Sequence, residues 1–306
     1  MSIKHFFGLS RYLVPAIVLV SLLTLLIPVS VVKASLVVIF PDANLEAAIR
    51  DAIGQPTGDI YDDNLTSLIA LDAPILGIVD LTGLEYCTNL TYLDLGANQI
   101  SDISPLSSLS SLTYLHLDTN QVSDISPLAG LTGLTHLYLF ENQISDISPL
   151  AGLTNLTYLY LGHNQISDVS PLAGLTNLTL LYLLGNQISD ISPLSGLASV
   201  TSLRLYDNQI SDISPLASLS NLTLLYLAHN QISDISPLAG LTNLTELLMS
   251  NNQISDIQPL ADNPGIASGD IVDLRTNPLS STSLDTYVPA LEARGVVVYW
   301  DYTPPT

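Results

Sequence analysis

Four histidines, one cysteine and an evenly spaced file of aspartates are the groups beyond residue 34 whose types could do chemistry. The histidines are His116, His136, His163 and His229, and the cysteine is Cys87. The aspartates, Asp102, Asp124, Asp146, Asp168, Asp190, Asp212, Asp234 and Asp256, recur every 22 residues. An imidazole beside a carboxylate can move protons or hold a metal, and His116 and His136 could approach Asp94 or Asp118 across neighbouring strands. No nucleophile–histidine–acid set stands apart from the repeat, however, and no Gly-rich phosphate loop or metal-spaced His/Cys cluster occurs. Catalysis, a bound metal and a cofactor are therefore not expected. Stacked about 5 Å apart, the aspartates would repel one another unless each accepts local hydrogen bonds or a hard cation bridges them. A single file supplies few of the oxygens such a cation wants. Cys87 has no partner for an intramolecular disulfide; in register with Leu109, Leu131 and Leu153, it reads as a buried, inert thiol.

The element that must position these groups is the repeat itself. From Leu90 to Leu260 an asparagine marks every 22nd residue: Asn98, Asn120, Asn142, Asn164, Asn186, Asn208, Asn230 and Asn252. Units this short cannot bury a core alone and must stack on their neighbours as a solenoid. Within one unit, Leu93 and Leu95 alternate with Tyr92 and Asp94, the period of a strand with one buried face. Equivalent strands would pair in parallel into one long sheet. Each marker asparagine turns inward, where its carboxamide must find both donors and acceptors, with the next repeat's backbone as the natural partner. Ile100, Ile103, Leu106 and Leu109 point inward at spacings of three, which suits a 3₁₀-like turn. Ser104-Pro105, repeated through Ser236-Pro237, supplies a capping hydroxyl and then a proline at the first helical position. Gln258-Pro259 breaks the pattern in the last unit.

The pattern Leu-x-x-Leu-x-Leu-x-x-Asn-x-Ile followed by Ser-Asp-Ile-Ser-Pro-Leu resembles the 22-residue leucine-rich repeats of bacterial internalin-type proteins. The expected fold is an α/β solenoid with a concave parallel β-sheet and convex 3₁₀ or short helical turns. Both ends need caps. At the N-terminal end, Leu45, Ala48, Ile49, Ala52 and Ile53 form an amphipathic helical stripe, started by Pro41-Asp42 or Asn44 and stopped by Gly54. A degenerate repeat follows, with Leu68, Leu71, Ile78, Leu81 and Leu84 in register and Leu76 in place of the asparagine. A stretched unit (Val272, Leu274, Asn277, Leu279), a helix from Pro289 to Arg294 and a strand from Val296 to Trp300 would form a strand–helix–strand cap at the other end.

Residues 1–34 differ from the rest. Lys4 and Arg11 precede an uncharged apolar run from Tyr12 to Val32, and then comes Val32-Lys33-Ala34. That order predicts an export signal cut after Ala34, although the run is also long enough to serve as an N-terminal membrane anchor. The expected layout is residues 1–34 signal or anchor, 35–67 helical cap, 68–262 repeats, and 263–306 C-terminal cap and tail. The product would be secreted or held at the cell surface. All 28 acidic residues lie beyond residue 34, against Arg50, Arg204, Arg275 and Arg294 and no lysine. Such a surface excludes nucleic acid and anionic membrane surfaces as partners. The Asn-Leu-Thr triplets match a glycosylation sequon, but they follow from the repeat consensus.

The outward strand positions, which the core does not dictate, are where the repeats differ. One column reads Tyr92, Tyr114, His136, Tyr158, Leu180, Ser202, Leu224 and Glu246. The central one reads Asp94, His116, Tyr138, Tyr160, Tyr182, Arg204, Tyr226 and Leu248. The third reads Gly96, Asp118, Phe140, Gly162, Leu184, Tyr206, Ala228 and Ser250. Eight of the 14 tyrosines sit in these columns, and His163 and His229 lie at their edge. Tyrosine favours exposed strand positions in any sheet, yet it is also an interface residue, and a contiguous aromatic patch exceeds what a monomer usually exposes. The expected function is a non-enzymatic module binding a protein ligand through this face, with Tyr138 to Tyr182 at the centre and Arg204 as the most specific contact. A carbohydrate-binding surface and a ligand-free envelope spacer are the alternatives. If histidines contribute, affinity should change near pH 6.5, their ordinary pKa. The resemblance implies adhesion to a host cell. The chain as given ends in Asp301-Tyr302-Thr303-Pro304-Pro305-Thr306, without Leu-Pro-x-Thr-Gly or an immunoglobulin-like domain, which weighs against carrying over wall attachment or a host receptor.

Overall fold

The computed structural model describes residues 35–301; residues 1–34, with the expected signal or anchor, and residues 302–306 lie outside the described residues. The chain enters through β1 (Val37–Val38), α1 (Ala43–Ile53), β2 (Ile60–Tyr61) and α2 (Asp62–Leu65). β1 and β2 form a small antiparallel pair. Then come β3 (Ala70–Asp72), β4 (Tyr92–Asp94), β5 (Tyr114–His116), β6 (His136–Tyr138), β7 (Tyr158–Tyr160), β8 (Leu180–Tyr182), β9 (Ser202–Arg204), β10 (Leu224–Tyr226) and β11 (Glu246–Leu248). α3 (Gln258–Asp262), β12 (Ile271–Asp273), α4 (Val288–Ala293) and β13 (Val297–Tyr299) complete the order. β3 to β13 make one 11-stranded parallel sheet in strict sequence order, as a file of stacked repeats must. Among the described residues no helix is long and apolar enough to cross a membrane.

Each repeat buries the same positions. In the first, Leu90, Leu93, Leu95, Ile100, Ile103, Leu106 and Leu109 are no more than 1% exposed, each contributing roughly 1.5–3 kcal/mol of transfer free energy. Cys87 fills the same inward column, and burial pushes its thiol up to about 12. The convex side carries 3₁₀ turns such as Ser104–Ser108 and Ser148–Gly152, and only the Gln258 repeat makes an α-helical turn.

The marker asparagines form a ladder, but it reaches backward. Asn164 Oδ1 accepts from Ile144 N of the preceding repeat at 2.9 Å, while Nδ2 donates to Leu139 O (2.9 Å), Leu161 O (3.1 Å) and Gly162 O (3.2 Å). The same bonds recur from Asn98 to Asn277. The partner is the preceding repeat because the turn folds back over the strand already laid down. The Ser-Pro expectation is also corrected. Ser104 is itself the first helical residue and Pro105 the second, so its hydroxyl does not cap. Asp102 does so, accepting from Ser104 N at 2.8 Å, and this recurs along the file to Asp256.

Two further ladders were not anticipated. The threonine hydroxyls of Thr113, Thr135, Thr157 and their equivalents donate to the carbonyl of the threonine one repeat earlier, at 2.9–3.2 Å. The sequon asparagines Asn155, Asn177, Asn221 and Asn243 each donate on the turn to a backbone carbonyl 23 residues earlier, Asn155 Nδ2 to Thr132 O at 2.9 Å. The recurring Asn-Leu-Thr was their signal.

Both caps close the core. Asp42 starts α1, its Oδ1 accepting from Asn44 N and Leu45 N, and Gly54 ends it in the left-handed region. Leu45 and Ile49 are buried, but Ala52 is exposed, since the helix meets the first repeats over a narrower stripe than its pattern suggested. At the other end, a π-helical turn at Ser283–Tyr287 runs into α4, and β13 joins the sheet. Arg294 ties this cap down through the carbonyls of Asn263 (2.9 Å), Ile266 (3.3 Å) and Ala261.

Candidate functional site

The pleat of a strand sends alternate side chains to opposite faces. With the leucines inward, the concave sheet therefore displays the variable columns in register, for instance Tyr138 beside Tyr160 and Tyr160 beside Tyr182. The rings touch without a break from β4 to β8. Tyr92 stacks on Tyr114 (centroids 4.5 Å apart, 13°), Tyr114 meets Tyr138 (5.3 Å), Tyr138 meets Tyr160 (4.6 Å), and Tyr160 meets the edge of Tyr182 (4.6 Å, 71°). Arg204 continues the file, its guanidinium carbon 4.2 Å from the Tyr182 ring centroid and 4.9 Å from that of Tyr226. Tyr158 and His136 stack beside this file (4.5 Å, 9°), while Phe140 and His163 form a separate edge contact (5.0 Å). Tyr206 is half-buried, and His229 is exposed on the rim, its Nε2 3.2 Å from Asn251 Nδ2.

Not all of this strip is available to a partner. Tyr158 is 36% exposed, but Tyr182 is only 9% exposed, covered by Tyr160 and Arg204. Tyr182 is thus a support of the face rather than part of its open centre. Burial raises the pKa of Tyr92, Tyr138 and Tyr226, and takes Tyr160 to about 12, with Tyr182 and Tyr138 adding to it. All four remain neutral hydroxyls near neutral pH.

His116 is held at both ends. Its Nδ1 lies 2.9 Å from Asp94 Oδ2 and its Nε2 3.1 Å from Asp118 Oδ2. Gly96 makes the room, since a Cβ there would lie 3.0 Å from His116 Cε1. The hydrogen bond to Asp118, reinforced by Asp94 against partial burial, takes His116 to about 9. It is therefore cationic throughout the range in which a free imidazole titrates. His136 is shifted the other way, downward, by burial, and contacts Thr135 Oγ1 at 2.9 Å rather than either aspartate. A common histidine transition near pH 6.5 is thus not what these two groups offer. Asp94 and Asp118, not singled out as ligand-binding residues, belong to the site through His116; their places flanking it in the outward columns were the available signal. Among the described residues, no three His, Cys, Asp or Glu side chains converge as a metal would need. The convex aspartates Asp124, Asp146, Asp190 and Asp212 are held below the ordinary carboxylate range by the amide of the serine two residues on.

A single parallel sheet alternating with 3₁₀ turns every 22 residues defines a leucine-rich-repeat solenoid. The family of leucine-rich repeats, taken two copies at a time, matches residues 88–130, 132–174, 176–218 and 220–262. Among solved structures, internalin C2 from Listeria monocytogenes str. 4b F2365 is 47% identical, covering 67% of this chain and 92% of its own, with a TM-score of 0.66. The internalin InlF of the same strain is 35% identical over 86% of this chain and 92% of its own (TM-score 0.58). The functional domain of InlJ from Listeria monocytogenes, 30% identical, covers 78% of this chain and 51% of its own (TM-score 0.67). The chain belongs to the internalin-like leucine-rich-repeat family. No curated protein matches it.

Proposed function

We propose that this protein is an exported, non-catalytic recognition module that binds a protein ligand on its concave face. The observation that carries the reading is the file of touching rings from Tyr92 to Tyr182, continued through the Arg204 guanidinium to Tyr226. Tyrosine and arginine supply large contact area, and they dominate the energetics of interfaces. The outward columns are also where the repeats depart from one another, as a surface fitted to one partner requires. Membership of the internalin-like family supports the same reading, and the charge of the chain disfavours polyanions.

One observation favours a second reading. Tyr182 is buried and Tyr92 lies flat on Tyr114, so part of the file stabilises the sheet, which is all a ligand-free spacer would need. The deciding experiment is an affinity screen of the protein against extracellular proteins and polysaccharides, with and without calcium, repeated with the Tyr138→Ala/Tyr160→Ala double variant. A recognition module captures a protein that the folded variant loses. A polysaccharide captured instead, or nothing captured, would sink the proposal.

A further inference from the structure

The arginines beyond residue 34 are few, and their partners are unequal. Arg50 pairs with Glu46 at 2.7 Å, Arg275 makes a two-pronged pair with Asp273 at 2.9 and 2.7 Å, and Arg294 donates to carbonyls of the C-terminal cap. Arg204 lies between rings: Tyr182 covers it from one neighbouring strand and Tyr226 from the other. Its Nε is buried and has no hydrogen-bond acceptor among the described residues. Sealed beneath the rings, Nε is closed to an outside partner, so any acceptor must come to the terminal Nη groups of this half-buried side chain.

We infer that Arg204, held between Tyr182 and Tyr226 in the middle of the concave sheet, is a carboxylate-binding subsite that takes an acidic side chain of the protein ligand. The inference rests on the reading of this face as a recognition surface. Rings over a guanidinium hold it flat and displace water from its faces, which leaves the edge formed by Nη1 and Nη2 as the route for a partner. That edge presents paired N–H donors that match the two oxygens of a carboxylate, and a charge-assisted fork is stronger than a neutral contact. A monoanion also suits a chain with 28 acidic residues better than a phosphate dianion, because one local cation offsets one charge. His116, the other cation of the outward columns, already has both nitrogens on carboxylates and cannot compete for it.

The test uses side-chain NMR of the full chain at pH 7 in about 0.15 M salt, where the Debye length of about 8 Å screens the overall negative charge. The Arg204 Nε–Hε signal is followed while a blocked Ala-Glu-Ala tripeptide, its Ala-Gln-Ala isostere or galacturonate is added. The glutamate peptide is expected to shift that signal saturably and to bind at least fivefold tighter than the other two. Arg204→Gln should abolish its binding, and Arg204→Lys, which keeps the charge without the fork, should weaken it at least threefold. No saturable shift, equal binding of the glutamine peptide, tighter binding of galacturonate, or unchanged binding by Arg204→Gln would each overturn the inference. Its failure is separable from failure of the recognition reading. A protein captured equally by wild type and Arg204→Gln, but lost by Tyr138→Ala/Tyr160→Ala, removes the subsite and leaves the surface standing.

Discussion

His116 Nδ1 and Asp94 Oδ2 lie 2.9 Å apart across adjacent strands, and the opposite ring nitrogen meets Asp118. The folded state therefore holds a proton on His116 up to a pH of about 9, against 6.5 for the free group. A pKa raised by folding contributes stability that is complete below the unfolded value and is lost as pH rises through the folded one. Wild type should be more stable than His116→Gln by about 1–2 kcal/mol at pH 6, allowing for solvent screening of a partly exposed side chain. That margin should shrink between pH 6.5 and about 9. Thermal unfolding of both proteins from pH 6 to 9.5 checks this, and a margin independent of pH would refute it.

The two asparagine ladders should differ in strength. Asn164 satisfies buried backbone groups of two repeats, so Asn164→Ala should cost about 1–3 kcal/mol by leaving them unpaired. Asn155 makes its bond to Thr132 on the exposed turn, where water can replace it, and Asn155→Ala should cost about 0.5 kcal/mol. Denaturant midpoints of the two variants measure the contrast; equal shifts would mean that burial does not set it.

Tyrosines of the concave face should separate in the same way. Tyr182 is 9% exposed and Tyr158 is 36% exposed. Removing the first opens a gap between Tyr160 and Arg204, with an expected cost of about 2–4 kcal/mol. Tyr158→Ala should forfeit about 1 kcal/mol, mostly its stacking on His136. The melting temperatures of the two alanine variants test the ordering.

Ile75 occupies the left-handed region at φ 60° and is 78% exposed. In the register of the repeats its position is that of Gly185 and Asn251, whose residue types tolerate this backbone. A β-branched side chain there carries steric strain and packs against little. Ile75→Asn is expected to raise stability by about 0.5–1 kcal/mol. A lower melting temperature would show that the side chain has a packing role.

Much of this protein was determined by its sequence, because the repeat poses one local problem many times. Leucines alternating about Tyr92 define a strand with a buried face, isoleucines at spacings of three define a tight return, and an asparagine every 22 residues must find backbone partners wherever it turns in. The parallel sheet, both caps and the outward columns follow from these. What tertiary structure alone decided concerns groups whose environment comes from a neighbouring repeat. Whether the asparagine reaches forward or back depends on which way the turn folds over the previous strand. Aspartate rather than serine caps the turn because the helix begins one residue earlier than the Ser-Pro pattern implied. The burial of Tyr182, the clamped proton of His116 and the unpaired Nε of Arg204 depend on side-chain rotamers packed strand against strand. A column of residue types names the groups that meet, and only the packed sheet decides which of their faces are covered and which hydrogen bonds are left to make.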